Sequence, residues 1–318
     1  MKSVKLKRDL YRLWRKIRFK PIYWFSLIFL AFLFVVSGES VFSPSTLSSQ
    51  KIIFAKEEVL ELTTQVNPLP ILNSKGIAFP NHTAEAIFIR ERNSGEIIFK
   101  ENEHVQRSPA SLTKMATAIV TIENCDLSKE IIVNNVLKDG SLMGLENGEK
   151  VTYEDLLYGM LVASGNDAAE MLSRACFSSQ EKAVESIQKK LEFLGLHDTN
   201  YVNVSGLPAD NHYSSAYDLT FLAEVLLRNE KLAEIVNTKE ITLVSIDLKR
   251  WYSLKSSNDL LFENPSVYGV KTGYTESAGQ CLILAYKKGD RDFMITILGS
   301  QDRFTDGEAI INWIQSNY

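Results

Sequence analysis

The chain has 318 residues, 45% hydrophobic and 23% charged, with a formal net charge of −4, the make-up of a globular protein with a sizeable core and one or two domains. The charge is uneven: residues 1–20 hold nine Lys/Arg and one Asp, and the remainder carries 26 Lys/Arg against 38 Asp/Glu. An acidic body argues against a nucleic-acid partner, and four scattered histidines (His82, His104, His197, His212) without metal-ligand spacing give no reason to expect a metal or cofactor.

The basic block runs into Ile22–Gly38, an uncharged stretch rich in Phe, Leu, Ile and Trp. Positive charge ahead of an apolar run predicts a cytoplasmic N-terminus with the bulk of the protein outside. Its seventeen residues approach the ~20 that span a bilayer. Val36-Ser37-Gly38 offers a small-residue cleavage site, so a removed signal peptide, giving a secreted protein, is the alternative. The long basic leader favours a retained anchor, and no Cys follows the run to carry a lipid. We therefore assign 1–38 to a leader and membrane anchor, 39–82, rich in Ser, Thr, Asn and Pro, to an extracytoplasmic linker, and 83–318 to the main globular domain. Cys125, Cys176 and Cys281 are odd in number and widely spaced, and we read them as buried small hydrophobes rather than a disulfide framework.

Ala86–Arg90 and Glu96–Lys100, joined through Asn93-Ser94-Gly95, predict a β-hairpin. A helix follows at Ser111, with Ser108 as N-cap, Pro109 in its first turn and Met115, Ile119 and Ile122 inward. Thr152-Tyr153-Glu154-Asp155 is a capping box whose helix ends near Ser164, and another helix starts at Asn166 or Asp167. Ser215-Ala216-Tyr217-Asp218 caps a further long helix. Beyond residue 235 strands take over: Lys271-Thr272-Gly273 is expected to leave a turn and start one, Cys281–Tyr286 and Phe293–Leu298 to form a hairpin, and Ala309–Ile314 to close as an apolar helix.

Ser111 and Lys114 stand one helical turn apart, so their side chains share a face. A serine hydroxyl is a weak nucleophile until a neighbour takes its proton, and a lysine does that only when burial or a second cation keeps it neutral. Ser164-Gly165-Asn166 and Lys271-Thr272-Gly273 follow in order. Each is weak alone: Ser-Gly-Asn also suits a helix-ending turn, and Lys-Thr-Gly a polar turn entering a strand. The ordered triple is characteristic of penicillin-binding proteins and class A β-lactamases. With Pro109-Ala110-Ser111-Leu112-Thr113-Lys114, Leu156–Gly159, Ala163–Ala169, Gly269–Thr275, Met143-Gly144-Leu145 and Asn203–Leu207, the text over 83–318 closely resembles the low-molecular-weight D-alanyl-D-alanine carboxypeptidases.

That resemblance implies an α+β (α/β) fold of the DD-peptidase/β-lactamase kind, with an antiparallel sheet flanked by helices and an inserted all-helical subdomain. It implies acyl transfer to Ser111 from peptidoglycan stem peptides ending in D-Ala-D-Ala, with β-lactams as covalent inhibitors. Lys114 is the expected general base, with Lys271 helping to keep it neutral. Ser164 passes a proton to the leaving amine, and Asn166 holds the peptide amide. Lys271 and Thr272 bind the free carboxylate, while the N–H groups of Ser111 and Tyr274, beside Gly273, form the oxyanion hole. Tyr217, Asp218 and His212 also match, and we read them as capping and packing; His104 reads as a surface residue. Forty-five residues follow Gly273, so no C-terminal β-domain is expected, an N-terminal anchor taking over its tethering. A class A β-lactamase needs a glutamate between the second and third motifs, and Glu181, Glu185 and Glu192 fall within a predicted helix. A DD-endopeptidase would use the same residues, and a non-catalytic penicillin sensor would need a broken motif.

Overall fold

A computed structural model of the chain describes residues 74–318. The leader, the Ile22–Gly38 segment and the linker up to residue 73 lie outside the described residues. Residues 74–82, assigned to the linker from sequence, instead run along the last helix. Lys75 N–H donates to the Asn317 carbonyl at 2.9 Å, and Trp313 Nε1 donates to the Ile77 carbonyl at 2.9 Å. Among the described residues no helix is long and apolar enough to cross a membrane.

Strands β1 (Ala86–Glu91), β2 (Ile97–Glu101), β7 (Val267–Thr275), β8 (Gly279–Lys288) and β9 (Arg291–Ser300) form one antiparallel sheet in the order β2-β1-β9-β8-β7. Alternation along each strand serves two cores. Ile87, Ile89, Leu282, Leu284, Phe293, Ile295 and Ile297 face a layer that includes Ile310, Ile311 and Ile314 of the last helix, α8 (Arg303–Asn317). Ala86, Phe88, Cys281, Ile283, Ala285, Met294 and Leu298 face the opposite layer, which contains the helices between residues 114 and 236. A sheet covered on both faces has no polar side to alternate with, so Cys281–Tyr286 is one continuous buried run.

Between β2 and β7 the chain forms a helical layer: α1 (Lys114–Asn124), α2 (Tyr153–Leu161), α3 (Asn166–Phe177), α4 (Gln180–Phe193), α5 (Ala216–Arg228) and α6 (Glu230–Val236). The capping box at Thr152 is formed reciprocally with Asp155, and the Ser215 hydroxyl accepts from Asp218 N–H. Two small ribbons, β3 (Glu130–Ile132) with β4 (Lys150–Thr152) and β5 (Glu240–Val244) with β6 (Trp251–Lys255), border this layer. A short helix, α7 (Leu260–Glu263), precedes β7. Arg90 of β1 donates to both oxygens of Glu224 on α5, at 2.5 and 2.6 Å, tying sheet to helices.

The reading of the cysteines needs correction. Cys125 at the end of α1 and Cys176 in the last turn of α3 form a disulfide, with Cα atoms 5.9 Å apart. A separation of 51 residues carries no sign of this, because the pairing arises only when α1 and α3 pack side by side. A disulfide suits an oxidising, exported compartment. Cys281 is free and buried.

Candidate active site

The Ser111 segment differs from the expected helix start. Ala110–Thr113 is a turn of 3₁₀ helix, α1 begins at Lys114, and Pro109, in a right-handed helical conformation, takes the cap position without any side-chain cap from Ser108. The reason lies at Ala110, whose φ of +48° bends the chain before a regular helix can begin. The 3₁₀ geometry keeps the chemistry intact, since residues i and i+3 then lie in line. Lys114 Nζ lies 2.9 Å from Ser111 Oγ.

Lys114 is fully buried. Its Nζ also donates to Asn166 Oδ1 at 2.7 Å and to the Ser205 carbonyl at 2.6 Å. Asn166 Nδ2 donates to the Asp139 carbonyl at 3.0 Å, which fixes the amide with its oxygen toward Lys114. Burial, and then the charge of Lys271, hold the Lys114 ammonium well below its ordinary pKa, with Asp167 and Glu170 pulling weakly the other way. A neutral amine has two N–H bonds and one lone pair. Asn166 Oδ1 and the Ser205 carbonyl can only accept, so they take the two N–H bonds and the lone pair is left for the Ser111 O–H.

The loop that presents Ser205 is fastened by its own asparagine. Asn203 Oδ1 accepts from Ser205 N–H at 3.2 Å and Gly206 N–H at 2.7 Å, and its Nδ2 donates to the Leu207 carbonyl at 2.8 Å. Gly206 has φ +87°, and a Cβ there would lie 1.8 Å from the Ala110 carbonyl oxygen, so no side chain fits. Asp167, next to Asn166 on α3, accepts from the N–H groups of Met143, Gly144, Leu145 and Ala168 at 2.8 to 3.0 Å. It thereby fixes the 139–145 segment whose Asp139 carbonyl orients Asn166.

Lys271-Thr272-Gly273 sits within β7 rather than at its start, paired with Ile283, Leu282 and Cys281 of β8. Glycine and threonine suggested a turn, but Gly273 serves close approach: a Cβ there would lie 3.0 Å from Ala110 Cβ and 3.1 Å from Ser111 N. This brings β7 against the Ser111 peptide. Lys271, on the same face of the strand as Gly273, reaches across to donate to Ser164 Oγ at 2.9 Å and to the Thr272 carbonyl at 3.1 Å. Burial, and then the nearby Arg303, lower Lys271 to about 7. Ser164 has φ +59°, so both motif serines follow or occupy a left-handed residue. Thr272 Oγ1 shares a hydrogen bond of 2.5 Å with Ser257 Oγ. The Tyr274 ring is 61% exposed, flanking the cleft beside its own backbone.

Ser111, Lys114, Ser164, Asn166, Lys271, Thr272, Gly273 and Tyr274 are therefore gathered at one cleft between β7 and the helical layer. The sequence reading did not assign the Ser205 carbonyl, Asp139, Asp167, Ser257 or Arg303. Arg303 donates to the Gly273 carbonyl at 2.8 Å, and its buried Nε has no protein partner. Of these residues, Ser205 and Asp167 fall in the Asn203–Leu207 and Ala163–Ala169 runs. The others act through backbone atoms or long-range contacts that leave no spacing in the sequence. Among the described residues no group of three or more His, Cys, Asp or Glu could hold a metal ion.

A protein-family model described as D-alanyl-D-alanine carboxypeptidase (Peptidase S11) matches residues 73–302. The chain is 35% identical over 227 residues to the D-alanyl-D-alanine carboxypeptidase DacF of Bacillus subtilis, covering 69% of this chain and 58% of that protein. It is 32% identical over 257 residues to DacD of Escherichia coli, covering 75% of this chain and 65% of that one. The chain thus spans less than two thirds of the length of these two curated relatives. Its fold matches the crystal structure of the Streptomyces K15 DD-transpeptidase with a TM-score of 0.70 at 26% identity, covering 76% of this chain and 100% of that one.

Proposed function

The chain belongs to the D-alanyl-D-alanine carboxypeptidase family, Peptidase S11, and on that premise we propose that it removes the terminal D-alanine from peptidoglycan stem peptides through a Ser111 acyl-enzyme. The observation that carries this reading is the orientation of Lys114, whose lone pair is directed at Ser111 by two obligate acceptors. As Ser111 Oγ attacks the carbonyl carbon of the penultimate D-Ala, its proton passes to Lys114 and the carbonyl oxygen becomes an oxyanion. The N–H groups of Ser111 and Tyr274 receive that charge; a lost oxyanion donor costs about 3 kcal/mol of barrier. The tetrahedral adduct collapses by breaking the C–N bond. The proton that Lys114 took passes through Ser164, which hydrogen-bonds Lys271, to the leaving amine, so Lys114 is neutral again as D-alanine departs. Water then hydrolyses the ester and regenerates the Ser111 hydroxyl.

Asn166 Oδ1 accepts from Lys114 and one Nδ2 hydrogen goes to the Asp139 carbonyl, which leaves one N–H to donate to a substrate carbonyl and one lone pair on Oδ1 to accept from the substrate amide. Lys271, Thr272 and Arg303 converge beside Gly273 as donors for the terminal carboxylate, and this supports cutting at a free C-terminus. The glutamates weighed for a β-lactamase, Glu181, Glu185 and Glu192, lie on α4, which offers no support for that reading. A relative described as a DD-transpeptidase points to an amine as an alternative acceptor for the same acyl-enzyme.

We place the catalytic domain on the cell-wall side of a bacterial membrane. The basic leader and Ile22–Gly38 would serve as anchor or signal segment, and 39–73 as spacer. N-terminal sequencing of the membrane-associated protein separates anchor from cleaved signal.

The test is release of D-alanine from a peptide ending in D-Ala-D-Ala by the full chain and by Ser111→Ala. Release that disappears in the variant is the expected result. A β-lactam adduct on Ser111 without D-alanine release would redirect the reading to cross-link cleavage or sensing, and neither adduct nor release would end it.

A further inference from the structure

His212 lies 99 residues from Thr113, yet the two side chains meet in the interior, His212 Nε2 to Thr113 Oγ1 at 2.8 Å. The other ring nitrogen, Nδ1, accepts from Val202 N–H at 3.1 Å. A backbone N–H can only donate, so Nδ1 carries no proton and the tautomer is fixed with hydrogen on Nε2. Thr113 Oγ1 in turn donates to the Ala110 carbonyl at 2.9 Å. The direction of the chain is thus settled end to end: Val202 N–H to imidazole, imidazole to Thr113, Thr113 to Ala110.

Both ends of that chain matter to Lys114. Ala110 is the left-handed residue that sets the Ser111 turn, and its peptide bond supplies the Ser111 N–H. Val202 immediately precedes Asn203, which fastens the loop offering the Ser205 carbonyl to Lys114. The imidazole is 5% exposed, stacks on the buried Tyr201 ring at 5.0 Å, and burial lowers its pKa to about 4. It is a neutral bridge between two separate segments that flank one amine.

We propose that His212 is a positioning residue for acyl transfer, holding the Ser111 turn and the Asn203–Gly206 loop at the spacing that keeps the Lys114 lone pair on Ser111. This rests on the reading of the cleft as a Ser111 acyl-transfer site. A residue that only filled the core would serve equally with any apolar side chain of similar volume. A bridge requires an acceptor and a donor about 2.2 Å apart, which the side-chain amide of glutamine reproduces with Oε1 and Nε2.

The experiment measures acylation of the full chain by benzylpenicillin, separating the pre-covalent Kd from the acylation rate constant, in wild type, His212→Leu, His212→Gln, Thr113→Val and the His212→Leu/Thr113→Val pair. Expected is a fall of about 10- to 100-fold in the rate constant for His212→Leu, with Kd within about threefold of wild type. His212→Gln recovers most of that loss, Thr113→Val matches His212→Leu, and the double variant is no worse than either. A loss confined to Kd, multiplicative losses in the pair, or His212→Gln as impaired as His212→Leu at an undiminished melting temperature overturns the proposal. If His212→Leu does not fold, the wild-type imidazole nitrogen resonances decide instead: hydrogen on Nε2 supports the bridge and hydrogen on Nδ1 overturns it. If wild type forms no adduct, the acyl-transfer reading has failed, and the positioning role, which rests on it, falls with it.

Discussion

Lys114 and Lys271 are the same side chain, buried almost equally in one cleft, at 0% and 2% exposure. Desolvation lowers both, so burial alone does not distinguish them. Their partners do. Lys114 faces two obligate acceptors and a hydroxyl, and Lys271 lies near enough to repel its proton. Lys271 is lowered to about 7 by burial and Arg303. Repulsion from Lys271 adds to burial at Lys114, and repulsion from Arg303 adds to it at Lys271. In the proposed reaction Lys114 serves as the base and Lys271 as the partner of the substrate carboxylate. The difference lies in what each amine faces: Asn166 and Ser205 take the Lys114 hydrogens and leave its lone pair to Ser111, whereas Lys271 donates to Ser164 and to the Thr272 carbonyl.

The largest test of that contrast is Asn166→Asp. It keeps the shape and puts a charge 2.7 Å from Lys114 Nζ. A carboxylate there stabilises the ammonium and raises the pH at which Lys114 becomes a base by about 1–3 units. The acid limb of the acylation rate moves up by that amount, so the loss at a fixed pH on that limb is about 10- to 1000-fold and is recovered on raising the pH. A loss of the same size at every pH would show that Asn166 acts on the substrate alone and that the two lysines are not separated by their acceptors.

A smaller effect is expected from the Lys271 side. As pH rises through about 7 the free enzyme loses the Lys271 charge. Because kcat/KM reports the free enzyme, it falls above that pH for a substrate with a terminal carboxylate, by about tenfold per unit at most. For the same peptide with a C-terminal amide there is no anion to lose its partner, so this alkaline fall is absent. Identical profiles for the two peptides would remove the carboxylate from Lys271 and leave Arg303 and Thr272 to hold it.

The same division between local pattern and long-range partners governs what the sequence discloses. The capping box at Thr152 and the continuous buried runs of β1 and β8 are local or set by burial on both faces, and they are read directly. The three motifs announce the cleft because their residue types are rare in combination. The Ser111 turn is misread as a regular helix, since nothing near Ala110 reveals that Gly206, far along the chain, presses on its carbonyl. The mid-strand position of Lys271-Thr272-Gly273 is hidden because glycine there answers to the Ser111 peptide rather than to a turn. β3 and β4 are three residues each, too short for alternation to register. The Cys125–Cys176 bond and the Ser205 carbonyl exist only once α1 has met its neighbours.

Ser257 sits at the small end of this scale. It lies in the polar run Ser256-Ser257-Asn258 and touches the cleft only through Thr272, at 2.5 Å. Either hydroxyl can donate in that pair. If Thr272 is to donate to a substrate carboxylate, its hydrogen must be free, so Ser257 donates and Thr272 accepts, and the Thr272 hydrogen is directed onward. Ser257→Ala then leaves Thr272 able to donate but no longer oriented. A net hydrogen bond of about 0.5–1.5 kcal/mol corresponds to a rise of about 2- to 12-fold in KM for the carboxylate peptide. kcat should hold, and the amide peptide should be unaffected. A fall in kcat for both peptides would mean that Ser257 supports the strand near Ser111 rather than the carboxylate donor. The carboxylate would then be held by the cationic side of the cleft alone, by Lys271 and Arg303.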